Sequence, residues 1–318
     1  MNNLLIPKKE RHFLPNTIEI NWDTILPFFD DLINRELKSL AELTQWMIDR
    51  SELESMLEED FAWRYIRMTC DTTDEKILQA FEDFATNIEP KLSEYANLLN
   101  KKIMSCEFLY ELPASEYFIY IRSLKKQLEI FREENISIFT ELQLAQQKYG
   151  VIAGAMSVTI ENKEYTLEQA STFLKDQDRN IRKNVYETIQ ARRLQDRNQL
   201  DKLFTKLIAM RQQVASNAGF DNFRDYQFQA LGRFDYNAND CLAFHDAIAK
   251  EVVPILKANS IKRAGKMGLN TLSPFDTEVD ITGKAALKPF ANGNELIDKT
   301  IQCFTQISPE LGNYLAIM

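Results

Sequence analysis

Two histidines, His12 and His245, stand among 318 residues, and they bound the chemistry open to this chain. Serine and cysteine nucleophiles usually want an imidazole to take their proton, and zinc sites draw on histidine, cysteine and carboxylate. His12 lies in a charged N-terminal segment beside Glu10 and Arg11, where exposure is the expectation. His245 shares one face of a helical pattern with Cys241, Leu242, Ile248, Ala249 and Val252, so the spacing predicts an interior side chain. Cys241 and His245 are four apart and sit side by side as two metal ligands would. No further histidine or carboxylate joins them on that face, which favours a packed, hydrogen-bonded imidazole over a ligand. Glu58, Glu59 and Asp60 are adjacent; adjacent helical residues diverge rather than converge on one atom, and they read as a solvated helix end. Cys70, Cys106, Cys241 and Cys303 form no CxxC and read as reduced thiols. GxxxxGK[ST], GxGxxG and GxSxG are all absent, which removes the simplest nucleotide and hydrolase signatures.

The elements that would position these residues are mainly helices. All nine glycines lie at Gly150 or later, and 149 residues without glycine leave little room for phosphate loops or primed turns, which need positive φ. Apolar spacing predicts helices over Asp23 to Leu43 and Thr44 to Leu57, then a third after Asp71 capped by Thr72, Thr73 or Asp74, with Pro90 bending or dividing it. Alternate steps of three and four link Tyr117, Ile121, Leu124, Leu128, Phe131, Asn135, Ile138, Leu142, Ala145 and Tyr149. That seam predicts a single helix, packed as a hairpin arm within the molecule, with a dimerising coiled coil as the lesser reading and Asn135 fixing register in either. A small β-hairpin is expected near 156–166, with Glu161, Asn162 and Lys163 turning. Gly219 marks the end of a helix beginning near Leu200. Arg179, Arg182, Lys183, Arg192, Arg193 and Arg197 read as a solvated, partly ion-paired helix face.

The net charge is −9, which speaks against a nucleic-acid partner. Residues 1–150 carry 17 Lys and Arg against 27 Asp and Glu, whereas 151–318 carry 21 against 20, as expected of two units with different surfaces. The longest uncharged run, Tyr149 to Ile160, has twelve residues, short of the roughly 20 that span a membrane as a helix. The N-terminus mixes Leu4, Leu5 and Ile6 with Lys8, Lys9, Glu10 and Arg11 and lacks a signal-peptide core. A cytoplasmic location is the expectation.

Particular stretches carry a family resemblance. Ala218 to Tyr226 (AGFDNFRDY), Leu231 to Tyr236 (LGRFDY) and Phe244-His245 leading to Val252-Val253-Pro254 resemble the oligoendopeptidase F branch of the thimet-oligopeptidase-like zinc peptidases. Leu53 to Thr73, Phe131 to Ile160, and Leu287-Lys288-Pro289-Phe290 through Pro309-Glu310-Leu311-Gly312 match in the same order. The resemblance implies a mainly α fold: an elongated helical N-terminal lobe with long helical hairpins and one β-hairpin over residues 1–195, and the first helices of a zincin-like catalytic lobe over 196–318. It implies a metalloendopeptidase that hydrolyses internal bonds of short peptides, with zinc held by the two histidines of HExxH and a distant glutamate, and the motif's own glutamate as general base.

Here the sequence departs from the family. His12 and His245 are 233 residues apart, so HExxH cannot occur, and no catalytic, cofactor-binding or metal residue is carried over. No zinc is expected on this chain. Ser308 and Pro309 open a final helix with only nine residues after Pro309, an ending that reads as a piece of a longer peptidase. The alternatives are a helical peptide-binding module or a coiled-coil scaffold derived from the fold, and the oligomeric state, a homodimer included, stays open.

Overall fold

The first helix ends where its carbonyls find partners. Helix α1 (Trp22–Asn34) leaves carbonyls at its C-terminus without intrahelical donors. Trp46 Nε1 donates to the Leu32 carbonyl at 2.8 Å, and Lys102 Nζ donates to those of Ile33, at 2.8 Å, and Arg35. Trp46 and Lys102 belong to α2 (Leu40–Cys70) and α4 (Glu89–Ser105), so closing α1 also ties three helices together. The structure, a computed structural model, describes residues 11–317; the readings made over residues 1–10 and at Met318 lie outside them.

The break between the first two helices falls at 35–39, with Arg35 extended and Ser39 capping α2 through the Glu42 N–H, and not between Leu43 and Thr44. Helix α2 then runs unbroken for 31 residues, which puts Glu58, Glu59 and Asp60 at mid-helix rather than at an end; Asp60 pairs with Arg64 one turn on. Asp74 caps α3 (Glu75–Asp83) by accepting from the N–H groups of Lys76 and Ile77, where the sequence placed that start. A π-turn, Phe84–Ile88, joins α3 to α4. Pro90 has no N–H to donate one turn back, and a π-turn just before it absorbs the mismatch.

The long seam is two helices. Helix α5 (Ala114–Ile130) ends at Phe131, whose ψ of 132° leaves the helical region, and α6 spans Glu134–Gly154. Arg132 holds the break: Nη1 donates to the carbonyls of Glu129 and Phe131, and Nε to that of Asn217. Periodicity could not reveal this, because both helices keep their apolar faces inward on either side of the turn. Asn135 does fix register, in a helix pair. Its side chain, 1% exposed, donates to the Val214 carbonyl at 3.1 Å and accepts from Asn217 at 2.7 Å.

The small sheet is β1 (Ser157–Ile160) paired antiparallel with β2 (Lys163–Thr166). Glu161 and Asn162 both take positive φ, 51° and 62°, as a two-residue primed turn demands; Lys163 is already in the strand. Next come α7 (Leu167–Ser171), α8 (Arg179–Gln195), α9 (Arg197–Asn217), α10 (Phe223–Ala230), α11 (Ala238–Ala247), a second π-turn (Ile248–Val252), α12 (Val253–Lys266), α13 (Gly293–Ile307) and α14 (Pro309–Ile317). The fold is mainly α, as expected. No helix among the described residues is long and apolar enough to cross a membrane.

The chain divides into two compact units. The larger takes Arg11–Leu167 and Ile189–Ala258. One core in it gathers Ile25, Phe29, Leu32, Leu43, Trp46, Leu53, Leu99 and Ile103, and another joins α6, α9 and α10 through Leu142, Ala145, Val214, Ala215 and Tyr226. The smaller unit takes Glu168–Thr188 and Asn259 onward. There Asp276, fully buried, accepts from Arg179 at 2.9 and 3.0 Å and from Arg182 at 3.0 Å. Arg182 is 2% exposed and also donates to the carbonyls of Phe275, Asp176 and Gln177. The basic run is thus a solvated face only in part: Arg192 and Arg197 make the expected one-turn pairs with Asp196 and Asp201, while Arg182 turns inward because an acid 94 residues away meets it.

Candidate functional site

The stretches that carry the resemblance form turns and a clamp. At Gly219, φ is 84°, and the Phe220 N–H reaches the Ala215 carbonyl at 2.9 Å, a left-handed helix end that favours glycine. Asn222 then caps α10 by accepting from the Asp225 N–H at 3.0 Å. In Leu231 to Tyr236, Gly232 has φ 66° and the Arg233 N–H bonds the Phe228 carbonyl at 2.8 Å, closing α10 in the same way. Arg122 of α5 donates from both terminal nitrogens to Asp235 at 3.0 and 3.3 Å, with its guanidinium 4.6 Å from the Phe234 ring centre. Hydrogen bonding from Arg122 holds the Asp235 carboxyl below its ordinary range. These residues anchor the loop; nothing in them brings a nucleophile and a base together.

Neither histidine lies inside. His12 is exposed, as expected, and its backbone N–H donates to Glu52 at 3.0 Å. His245 is exposed, contrary to the interior position read from its helix face. The periodicity of α11 is real, but nothing among the described residues covers it: Leu242 is 56% and Phe244 64% exposed, and α11 buries no residue. Cys241 is half-buried, and Cys70, Cys106, Cys241 and Cys303 are free thiols. Among the described residues no three of His, Cys, Asp and Glu come together to hold a metal ion. A zinc site of three protein ligands does not fit the side chains of the described residues.

Two features were not read from the sequence. Glu52 accepts the backbone N–H groups of His12, Phe13 and Leu14, at 3.0, 3.2 and 2.8 Å. Burial works against its charge, yet those three donors outweigh it and hold the carboxyl below its ordinary value. The second is a cavity of about 730 Å³ framed by α2, the turn after it, α3 and α6, with Tyr65, Phe81, Gln147 and Gly150 in its walls. A further depression of about 480 Å³ between α6 and α9 shares Gln146 and Tyr149 with it. Sequence offered one sign of this place, the first two glycines of the chain, Gly150 and Gly154.

The comparisons follow the order of the elements. The model of the Peptidase M3 N-terminal domain matches residues 16–131, and that of Peptidase family M3 matches residues 172–306. The chain belongs to peptidase family M3. Among solved structures, the M3 chain is similar to a Bacillus anthracis str. Ames protein assigned as an oligoendopeptidase F, with a TM-score of 0.86 and 18% identity over 97% of this chain and 57% of that one. It is similar to PZ peptidase A, solved with an inhibitor, at a TM-score of 0.87 and 22% identity over 94% of this chain and 53% of that one. Oligoendopeptidase-F from Enterococcus faecium follows at 0.65 and 12% identity, over 92% and 62%. At these identities the likeness is one of fold. The M3 chain spans little more than half the length of the first two structures. A comparison with curated protein sequences gave no match.

Proposed function

We propose that this chain is a portion of a zinc-dependent oligoendopeptidase that hydrolyses internal bonds of short peptides, with residues 1–195 forming the N-terminal lobe and 196–318 the beginning of the catalytic lobe. The chain itself holds no zinc site in this reading; the HExxH helix is supplied by polypeptide outside these residues. The observation that carries it is uncovered apolar surface within the stretch matched by the Peptidase family M3 model. Leu242, Phe244, Val253 and Ile255 are each about half exposed or more, and in the smaller unit so are Ile261, Leu287 and Ile297. Helices α11 and α13 bury none of their residues, although apolar side chains at helical spacing belong against a neighbour.

Incubation of the purified chain with a quenched peptide and zinc tests this: no turnover and no stoichiometric zinc are expected. Zinc-dependent cleavage by the chain alone would overturn the proposal. A second reading, a non-catalytic peptide-binding module, is favoured by the complete apolar core of α1, α2 and α4. A stable monomer that binds peptides saturably supports it. The coiled-coil scaffold loses its footing, since the seam it rested on is broken at Phe131.

A further inference from the structure

We infer that a hollow between α1, α2 and α4 is a docking site for one lysine side chain of a partner protein, the carbon stem lying in an apolar trough and the ammonium among carboxylates. Every residue of its wall lies between Phe29 and Ala96, inside the stretch matched by the N-terminal domain model. The inference therefore rests neither on the proposed function nor on catalysis.

Size argues first. The hollow holds about 230 Å³, less than the roughly 300–1,000 Å³ of small-ligand pockets, which leaves room for one side chain. Most of the wall is apolar: Phe29, Leu57 and Phe84 are buried core residues, and Phe61 and Leu92 pack beside them. The rings of Phe61 and Phe84 stack with centres 5.1 Å apart.

Charge argues second. The charged residues of the wall are Glu54, Glu58 and Glu89, all of one sign. Glu54 is matched by Arg50, whose Nε donates to it at 2.8 Å. Glu58 is exposed and makes no ion pair among the described residues. Glu89 has only the neutral amide of Gln143 on one oxygen, while Oε2 is buried without a partner among the described residues and desolvation works against the charge. Two carboxylates in a largely apolar wall thus lack a cation. The three do not come together as a metal ion requires, so the cation that complements them has a body as well as a charge. Lysine supplies a compact ammonium with three donors on an unbranched stem. Such a stem covers apolar surface while its head stays polar, and phenylalanine rings attract the cation as well. Arginine fits less well, because its plane pairs best with both oxygens of one carboxylate and Gln143 already engages Glu89. Residues 1–150 carry 17 Lys and Arg against 27 Asp and Glu. That excess extends well beyond the hollow and draws a basic protein surface more strongly than a lone amine.

The backbone argues third. In an α-helix a residue and its fifth neighbour stand about 140° apart around the axis. Across the π-turn the Glu89 N–H bonds the Phe84 carbonyl, which stacks fifth neighbours, and both side chains line the hollow. The turn that Pro90 requires is thus what sets a carboxylate beside an aromatic ring.

The probe is Nα-acetyl-lysine N-methylamide, titrated into the full chain and followed by amide chemical shifts. Saturable shifts are expected at Leu57, Glu58, Glu89 and Leu92. The Nε-acetylated probe and the norleucine analogue should each bind at least tenfold more weakly, and the arginine analogue at least threefold more weakly. Glu58→Gln and Glu89→Gln should each weaken binding at least threefold, and the double variant at least tenfold, with Tm no lower than the parent's. Glu59→Gln, exposed and outside this wall, should leave binding unchanged. Norleucine binding as tightly as lysine, undiminished binding in the double variant, or no saturation would overturn the inference. So would magnesium moving the same amides, which would make the hollow a metal site. Tighter binding of pentane-1,5-diamine than of the lysine probe would also overturn it, in favour of a free amine. None of these readings involves zinc or turnover, so cleavage by the chain alone would count against the proposed function and leave the hollow to be judged by the shifts.

Discussion

Asp276 accepts a hydrogen bond from Arg182 at 3.0 Å across 94 residues of chain, with both side chains almost wholly out of water. Taking two charges from water is costly, and leaving one of them alone is costlier still. The pair therefore locks residues 273–279 onto α8 in the smaller unit. Arg263 adds to the lock by donating to the carbonyls of Asp276 and Val279.

Asp276→Asn should accordingly destabilise the fold by about 3–5 kcal/mol, the usual cost of stripping a buried ion pair of one partner, as read by urea unfolding. Burial opposes the charge of Asp276, but Arg179, the Ser273 N–H and Arg182 outweigh it and lower its value from 3.8 to about 2. A depressed carboxyl stabilises the fold above its unfolded value, and that contribution fades as pH falls from about 4 toward 2. The penalty of the variant should shrink over the same window; a penalty equal at pH 7 and pH 2.5 would contradict the linkage.

Glu89 should behave in the opposite sense. Desolvation raises its carboxyl above the ordinary 4.5 despite a hydrogen bond from Gln143, and its Oε2 is buried without a partner among the described residues. A raised carboxyl weakens the fold as pH rises through the unfolded and then the folded value. Relative to the parent, Glu89→Gln should therefore gain stability between pH 4 and pH 7, measured as the difference in Tm at each pH. A relative loss over that interval would refute the assignment.

Asn135→Leu should cost about 1–3 kcal/mol, because it leaves the Val214 carbonyl and the Asn217 amide without their buried partner. Hydrogen exchange should quicken at the C-terminal turn of α9, with the core of α1 and α2 unchanged. Protection lost evenly across the chain would mean that the residue does not act through that turn.

The uncovered faces should tolerate charge. Leu242→Lys and Ile297→Lys should change stability by no more than about 0.5 kcal/mol, since these side chains pack against little. Both should lower bis-ANS fluorescence and aggregation. A loss of several kcal/mol at either site would show that the face is already covered.

The sequence by itself determined the element types and several of their ends. The late glycines, the Asp74 cap, the hairpin at 157–166 and the left-handed stop at Gly219 follow from φ restrictions and side-chain capping, which act over a few residues. The histidine spacing likewise ruled out HExxH without any structure. Tertiary structure alone decided the turn at Phe131, the inward path of Arg182, the exposure of His245 and the cavity beside Gly150. Each depends on what stands across from a residue in space: Asn217 for Arg132, Asp276 for Arg182, nothing described for α11, and the facing wall of α2 for α6. Periodicity states which face of a helix is apolar, while burial is settled by whether another surface comes to meet it.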